Sequence, residues 1–339
     1  MRIILLGFGT VGQGLAELFL EKGKHLESKY GIEPVVVGIA DMLKGNVIEQ
    51  NGIDLKKALQ LVKEGKKLSE LPGAFQGDAL GLIDKVDADL MVEATYTDIK
   101  TGEPATSHIK AALNKKMHVT TTNKGPLALH YRELADLAKR QNVRFLFEGT
   151  VMSGTPILNL IRETLAGCKV TQVKGILNGT TNYILSRMEE GLGYEEALKK
   201  AQELGYAEAV PDADVLGWDA LAKVTILANV VFGATCKPSD FPCKGITEIT
   251  AAAIADAKKR GKRFKLIGKV WREGDKVKGS VAPEEVDLSQ PLAGVMGATN
   301  ALTITTDALG DVTVVGPGAG RVETGYSALV DIISAGGKQ

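Results

Sequence analysis

A chain of 339 residues is longer than one small hydrophobic core serves, so two domains are the natural division. Its 41 basic and 41 acidic side chains cancel, which excludes the electrostatic footprint of a nucleic-acid or anionic-membrane binder. The longest apolar runs, such as VVVGIA, are strand-sized, MRIILLGFG breaks at Gly7 before a signal sequence could form, and neither Cys168, Cys236 and Cys243 nor the four histidines show zinc spacing; the expectation is a cytoplasmic protein with reduced thiols, acting on a small molecule.

The first element, Arg2 to Leu6, is a buried-strand pattern that runs into GFGTVGQG and the helical stretch GLAELFLEKG. Gly7, Gly9 and Gly12 stand in G-x-G-x-x-G spacing. The first glycine permits a tight turn, the second admits a pyrophosphate against the backbone, and the third lets helix pack on strand. Unpaired N–H groups at the helix start then meet phosphate. A glycine turn alone is common; strand before and helix after is the context that makes it a dinucleotide fingerprint. Next, an inserted segment, HLESKYG, precedes the strand EPVVVGIAD, which ends at Asp41. An acid there accepts from ribose hydroxyls and favours NAD, whereas Lys44 three residues on would meet a 2′-phosphate; an ordinary solvated turn is the third reading, and all three stay open. The strand DADLMVEAT carries Glu93 to Thr95 to its carboxyl end, where open parallel sheets bind ligands, the helix ATSHIKAALNKK follows, and HVTTTNKGPLA presents Asn123 and Lys124 at a strand tip. HYRELADLAKRQ and RFLFEGTV continue the alternation. The fold expected over 1–150 is α/β, a Rossmann-like doubly wound parallel sheet.

After about Thr150 the pattern changes. TPILNLIRETLAG reads as a helix with Pro156 in its first turn, KVTQVKGIL as a strand, NGTTNYILSRMEEG as a capped helix and YEEALKKAQELGY as an amphipathic helix ending at Gly205. Val215 to Phe232 reads as one helix with Asp214 as its N-cap. AAAIADAKKRGKR, a meander turning at Gly274 and the hairpin ALTITTDALGDVTVVGPG complete a second α+β domain over 151–310. The glycine turn GPGAG and the last amphipathic helix, within 311–339, return to the first domain.

The stretch from Glu208 to Lys223 holds the chemistry. Asp219 and Lys223 are four apart on one helix face. Exposed, such a pair contributes about 0.3–0.5 kcal/mol. WDALAKVTILANVVFG is too apolar for an exposed helix, so the pair belongs to a cleft or a partner contact. A lysine ammonium there would stabilise and protonate the oxygen of a carbonyl receiving hydride, and a neighbouring carboxylate would keep it charged. Glu208 and Asp214 would take a cationic group of the substrate, such as an α-amine. A salt-bridged structural helix is the competing reading.

GFGTVGQG, TTNKGPLAL, EGTVMSGTP, GILNGTTNYIL, ELGYAEAVPDADVLGWDALAK and GPGAG, in that order, resemble homoserine dehydrogenase over nearly the whole chain. The resemblance implies NADPH- or NADH-dependent reduction of L-aspartate 4-semialdehyde to L-homoserine, on the route to threonine and methionine, by a homodimer with an α+β substrate and dimerisation domain. It implies Lys223 as proton donor, Asp219 on the substrate side, Lys124 as second active-site lysine, Glu208 on the homoserine amine, and Tyr206 and Asp214 as its neighbours. Phe8, Thr10 and Val11 fall in the pyrophosphate turn and Gly320 near the nicotinamide. It further implies a monovalent cation, sodium or potassium, on Glu148 and the carbonyls of Val151, Ser153 and Thr155, a donor set suited to a hard ion. Val210 replaces the acid the family carries before the proline, and no C-terminal amino-acid-binding domain is expected after the last helix, hence no threonine feedback through one. A related dehydrogenase on another amino-aldehyde and a non-catalytic NAD(P)-binding regulator are the alternatives.

Overall fold

The computed structural model describes residues 1–337. The chain forms two compact units, Met1–Gly154 with Gly320–Gln339, and Thr155–Ala319.

In the first unit, β1 (Arg2–Leu6), β2 (Val35–Asp41), β3 (Gly45–Ile48), β4 (Ala74–Phe75), β5 (Leu90–Glu93), β6 (His118–Thr121) and β7 (Phe145–Leu146) form one sheet in the order β4-β3-β2-β1-β5-β6-β7. The five strands from β2 to β7 run parallel, and β3 and β4 add an antiparallel edge. The connecting helices are α1 (Thr10–Tyr30), α2 (Leu55–Lys63), α3 (Ala79–Lys85), α4 (Ala105–Asn114), α5 (Lys124–Gln141) and α6 (Gly149–Met152). Central strands are buried on both faces, so their sequences are continuously apolar rather than alternating. In β1, Ile3 and Leu5 enter one core with Leu15, Leu18 and Ile39, while Ile4 and Leu6 enter another with Leu82, Ile109 and Leu134. HLESKY is not an insertion but the end of α1, which stops because Gly31 takes φ 67° and donates back to Glu27 O. The edge strands β3 and β4 are four and two residues long, too short for periodicity to announce.

The second unit holds a five-stranded sheet, β8 (Val170–Ile176), β9 (Lys262–Glu273), β10 (Lys276–Asp287), β11 (Thr299–Thr306) and β12 (Gly310–Pro317), in the order β10-β9-β8-β11-β12. All its neighbours are antiparallel. Its helices are α7 (Gly179–Glu189), α8 (Tyr194–Glu203), α9 (Asp212–Val215), α10 (Trp218–Val231) and α11 (Ala251–Lys259). The sheet approaches α10 closely because Gly268 and Gly279 carry no side chain: a Cβ on either would fall within 3.0 Å of Val224. Three expectations change here. Pro156 precedes rather than opens its helix, whose Leu160–Thr164 portion widens into a π-turn closed by Leu165 N to Leu160 O. β12 is a full strand of this sheet, so the chain returns to the first unit at Gly320 rather than at 311. The helix expected from Val215 to Phe232 is broken at Gly217.

The returning helix, α12 (Arg321–Gly336), lies on α1 within the first unit. A Cβ on Gly14 would collide with the Arg321 carbonyl and one on Gly325 with the Gly14 backbone, so two glycines set the helix–helix distance. Arg321 Nη2 and Nε donate to the two carboxylate oxygens of Glu17 at 2.6 and 3.1 Å. Buried Asp331 accepts from Thr120 Oγ1 at 2.7 Å and Glu148 N at 3.1 Å, pinning α12 beneath β6.

Candidate active site

The dinucleotide fingerprint takes the shape its spacing predicts. Gly7 has φ 87°, and a Cβ there would strike the Ala94 carbonyl; one on Gly12 would strike the carbonyl of Gly7. Gly9 faces open space, as a residue beside which a pyrophosphate must pass should. It is the N-cap of α1 and supplies no side-chain acceptor, so the first-turn amides of Thr10, Val11 and Gly12 are presented to a ligand. The donors and the space fit a dinucleotide phosphate.

Asp41 is far more than a solvated turn. Its Oδ2 accepts from Phe8 N at 2.8 Å, and its Oδ1 from Leu43 N at 3.0 Å and Lys44 N at 2.9 Å. Lys44 Nζ lies 3.5 Å from Oδ2, so the two residues that stood for competing cofactors are an ion pair. Thr95 and Lys124 stand at the tips of β5 and β6. Asn123 caps α5 through its side-chain oxygen and donates to Tyr96 O at 2.9 Å, so Lys124 opens a helix whose start is fixed. Gly320 opens α12 with φ 138° and ψ 153°, a conformation that favours glycine.

In the second unit the Asp219–Lys223 pair is buried. Lys223 is 7% exposed, and its Nζ donates to Asp219 Oδ2 at 2.8 Å and Leu177 O at 2.6 Å. Asn178 connects the rest: its Nδ2 donates to Asp214 Oδ1 at 2.6 Å and Asp219 Oδ2 at 3.0 Å, while its Oδ1 caps α7 by accepting from Thr181 N at 2.9 Å. Asp214 is therefore not the cap of α10. Gly217, at φ 86°, separates α9 from α10 and turns the Asp214 carboxylate into the cluster. Its left-handed backbone could be foreseen only at a glycine, and helical periodicity runs through it unaltered. Burial pushes Asp214 above the usual carboxylate range; the Asn178 amide opposes the rise and the neighbouring Asp219 adds to it.

Tyr206 and Glu208 stand on the loop between α8 and α9. The Tyr206 ring is 5.0 Å from that of Tyr183, and its carbonyl accepts from Thr180 Oγ1 at 2.6 Å. The Glu208 side chain is exposed, with only its carbonyl tied, to Gln202 Nε2 at 3.1 Å. The structure thus joins Lys223, Asp219 and Asp214 through Asn178 and leaves the Glu208 carboxylate outside that set. Asn178 escaped the sequence reading because N-G-T-T reads fully as a helix cap; its second task lies on the amide nitrogens, which a cap does not use.

Of the expected cation ligands, Glu148, Val151, Ser153 and Thr155 are all buried, and Ser153 has φ 53°. Among the described residues no three His, Cys, Asp or Glu cluster as a metal site. None of the described helices is long and apolar enough to cross a membrane.

Residues 156–333 match the family model described as homoserine dehydrogenase, and residues 7–148 that of the homoserine dehydrogenase NAD-binding domain. The chain is 44% identical to an NAD(+)-dependent homoserine dehydrogenase of Pseudomonas canavaninivorans, over 98% of this chain and 95% of the relative. A crystal structure of a putative homoserine dehydrogenase from Archaeoglobus fulgidus superposes with TM-score 0.90 at 39% identity, covering all of both chains. A hyperthermophilic archaeal homoserine dehydrogenase in complex with NADPH superposes with TM-score 0.85 at 33% identity, over 98% of this chain and 97% of that one.

Proposed function

The chain belongs to the homoserine dehydrogenase family, and from that premise we propose how its residues divide the work of the reaction. It is an oxidoreductase that interconverts L-homoserine and L-aspartate 4-semialdehyde with NAD(P). When bound, the reduced dinucleotide supplies hydride to the aldehyde carbon. The observation that carries the assignment of roles is the donor count at Lys223. An ammonium has three N–H bonds; Asp219 and Leu177 O take two in fixed directions. The third is the proton delivered to the oxygen as negative charge develops on it. Asp219 keeps the lysine charged, and Asn178 holds Asp219 and Asp214 at a fixed spacing. Tyr206 and Glu208, on the exposed loop, take the polar end of the amino acid, with Glu208 on its ammonium group. Lys124 and Thr95 serve the cofactor from the strand tips, and Gly7, Phe8, Gly9, Thr10, Val11 and Gly12 seat its pyrophosphate. Gly320, at the start of α12, lies toward the nicotinamide.

The Asp41–Lys44 pair favours NAD. A 2′-phosphate would meet a carboxylate, and the lysine placed to answer it already faces that carboxylate at 3.5 Å. Glu148 with the carbonyls of Val151, Ser153 and Thr155 would hold a sodium or potassium ion. The product serves threonine and methionine synthesis, in the cytoplasm, and the active form is a homodimer built through the second sheet. One experiment tests this reading: homoserine-dependent reduction of NAD and NADP, run separately, with sodium, potassium or tetramethylammonium as the only monovalent cation. Faster reduction of NAD and a gain with the small cations are expected. Equal rates in all arms remove the cofactor preference and the cation, and absence of turnover with homoserine removes the assignment of roles.

A further inference from the structure

β5 ends in a carboxylate that none of these steps uses. Glu93 is wholly buried, and it is in register with Leu6 of β1 on one side and Thr121 of β6 on the other. Burying a carboxylate is costly unless it is well partnered, so its partners indicate what it is kept for. They lie on the loop beyond β5, at the last residue of β6 and on α4. The Thr95 hydroxyl donates to Oε1 and Thr95 N reaches the same oxygen at 3.3 Å; Thr121 Oγ1 donates to the Glu93 carbonyl at 3.0 Å and lies 3.3 Å from Oε2; His108 Nδ1, on α4, lies 3.6 Å from Oε1. The chain of contacts continues outward. Thr121 Oγ1 accepts from Asn123 N at 3.0 Å, and Asn123 Nδ2 donates to Tyr96 O at 2.9 Å and lies 3.4 Å from Thr95 O. The Glu93 carboxylate, with the Asn123 amide beyond it, therefore fixes the loop after β5 and the loop after β6 to each other.

Those two loops stand at the carboxyl ends of the strands, and β1 and β5 are where the strand order reverses, which is where open α/β sheets bind their ligands. The backbone of Gly7, in the phosphate turn, abuts the Ala94 carbonyl next to Glu93, so a shift of this loop would be felt by the turn as well. We infer that Glu93 is a positioning residue for the dinucleotide: it sets the height and separation of the ledges that carry Thr95 and Lys124. The inference rests on the proposed assignment of Thr95 and Lys124 to the cofactor. Stability alone does not account for the carboxylate, since an apolar side chain of similar volume at a buried strand end, with apolar neighbours in place of the two threonines, is commonly at least as stable.

Steady-state kinetics of Glu93→Ala, Glu93→Gln, Thr121→Val and Thr95→Val, with cofactor and homoserine varied separately and thermal unfolding measured alongside, test this. Glu93→Ala is expected to raise the cofactor KM by about tenfold or more, a misplacement effect, and to leave the homoserine KM within about twofold. Glu93→Gln retains an acceptor oxygen and should recover most of the loss. Thr121→Val removes the hydroxyl through which β6 and Asn123 N reach Glu93 and should raise the cofactor KM by a smaller factor. If Glu93→Ala does not fold, Glu93→Leu, which fills the site but accepts no hydrogen bond, and Thr121→Val decide by the same criterion. Folded Glu93→Ala or Glu93→Leu, together with Thr121→Val, with unchanged cofactor KM, beside a Thr95→Val that raises it, overturn the positioning role alone. An unchanged cofactor KM in Thr95→Val overturns the assignment on which it stands. A fall in unfolding temperature with unaltered KM values identifies Glu93 as a structural residue and also overturns the inference.

Discussion

At Lys223 two of three N–H bonds are committed, to Asp219 and Leu177 O, and the proposed role falls on the third. Lys223→Ala should lower kcat by about 10²–10⁴, the range of a lost general acid, with the NAD dissociation constant unchanged, as single-turnover kinetics and cofactor titration would show. Asn178 allows a finer separation. Asn178→Ser keeps an oxygen that can cap α7 but loses the amide that spans Asp214 and Asp219. Its unfolding temperature should stay near that of the parent while kcat falls; a parallel loss of both makes Asn178 a cap and nothing more. Asp41→Asn retains the oxygen that Phe8 and Lys44 approach but removes the charge opposing a 2′-phosphate. The NADP-to-NAD ratio of kcat/KM should rise by about tenfold, a quantity insensitive to the fraction of folded enzyme.

At the scale of the element, the second sheet contains a buried lysine to which the proposed steps give no role. Lys265, in β9, donates to Asn182 Oδ1 at 2.9 Å and to Val295 O, with Met296 Sδ at 3.5 Å. It pins α7 and the loop before β11 to the sheet. Burial, with a smaller push from Arg263, brings its ammonium down to about 8 from 10.5, against the opposing charge of Glu189. The sign follows from proton counting. Between those two values the unfolded chain holds a proton that the folded chain has released, so stability rises with pH across that window. The rise from this group is at most about 3 kcal/mol. Urea unfolding at a series of pH values should show it in the parent and not in Lys265→Met, and identical pH slopes would remove the account. The break of the expected helix at Gly217 belongs to this scale too. The left-handed residue ends α9, restarts the chain at Trp218, and so places Asp214 and Asp219 on separate helices that Asn178 then bridges.

For the whole molecule, the register of the second sheet puts Lys174, Lys269, Ser280, Thr303 and Thr313 on the face opposite that which packs on α10. A second copy seated there gives the proposed homodimer, and light scattering at micromolar concentration should return twice the chain mass; a single-chain mass would remove it. The amino-acid order by itself determined the parallel sheet, the glycine turn, the meander and the returning helix, because each follows from local periodicity or from a backbone conformation only glycine adopts readily. It also selected Lys223 and Asp219, since a charged pair four residues apart in an apolar helix is visible without coordinates. Only the tertiary structure decided that Asn178 ties two carboxylates 36 and 41 residues away and that Glu93 joins two strand tips. The reason is physical: a hydrogen bond between distant residues leaves no period in the sequence, and a buried carboxylate inside an apolar strand run looks the same on paper whether it faces a partner or nothing.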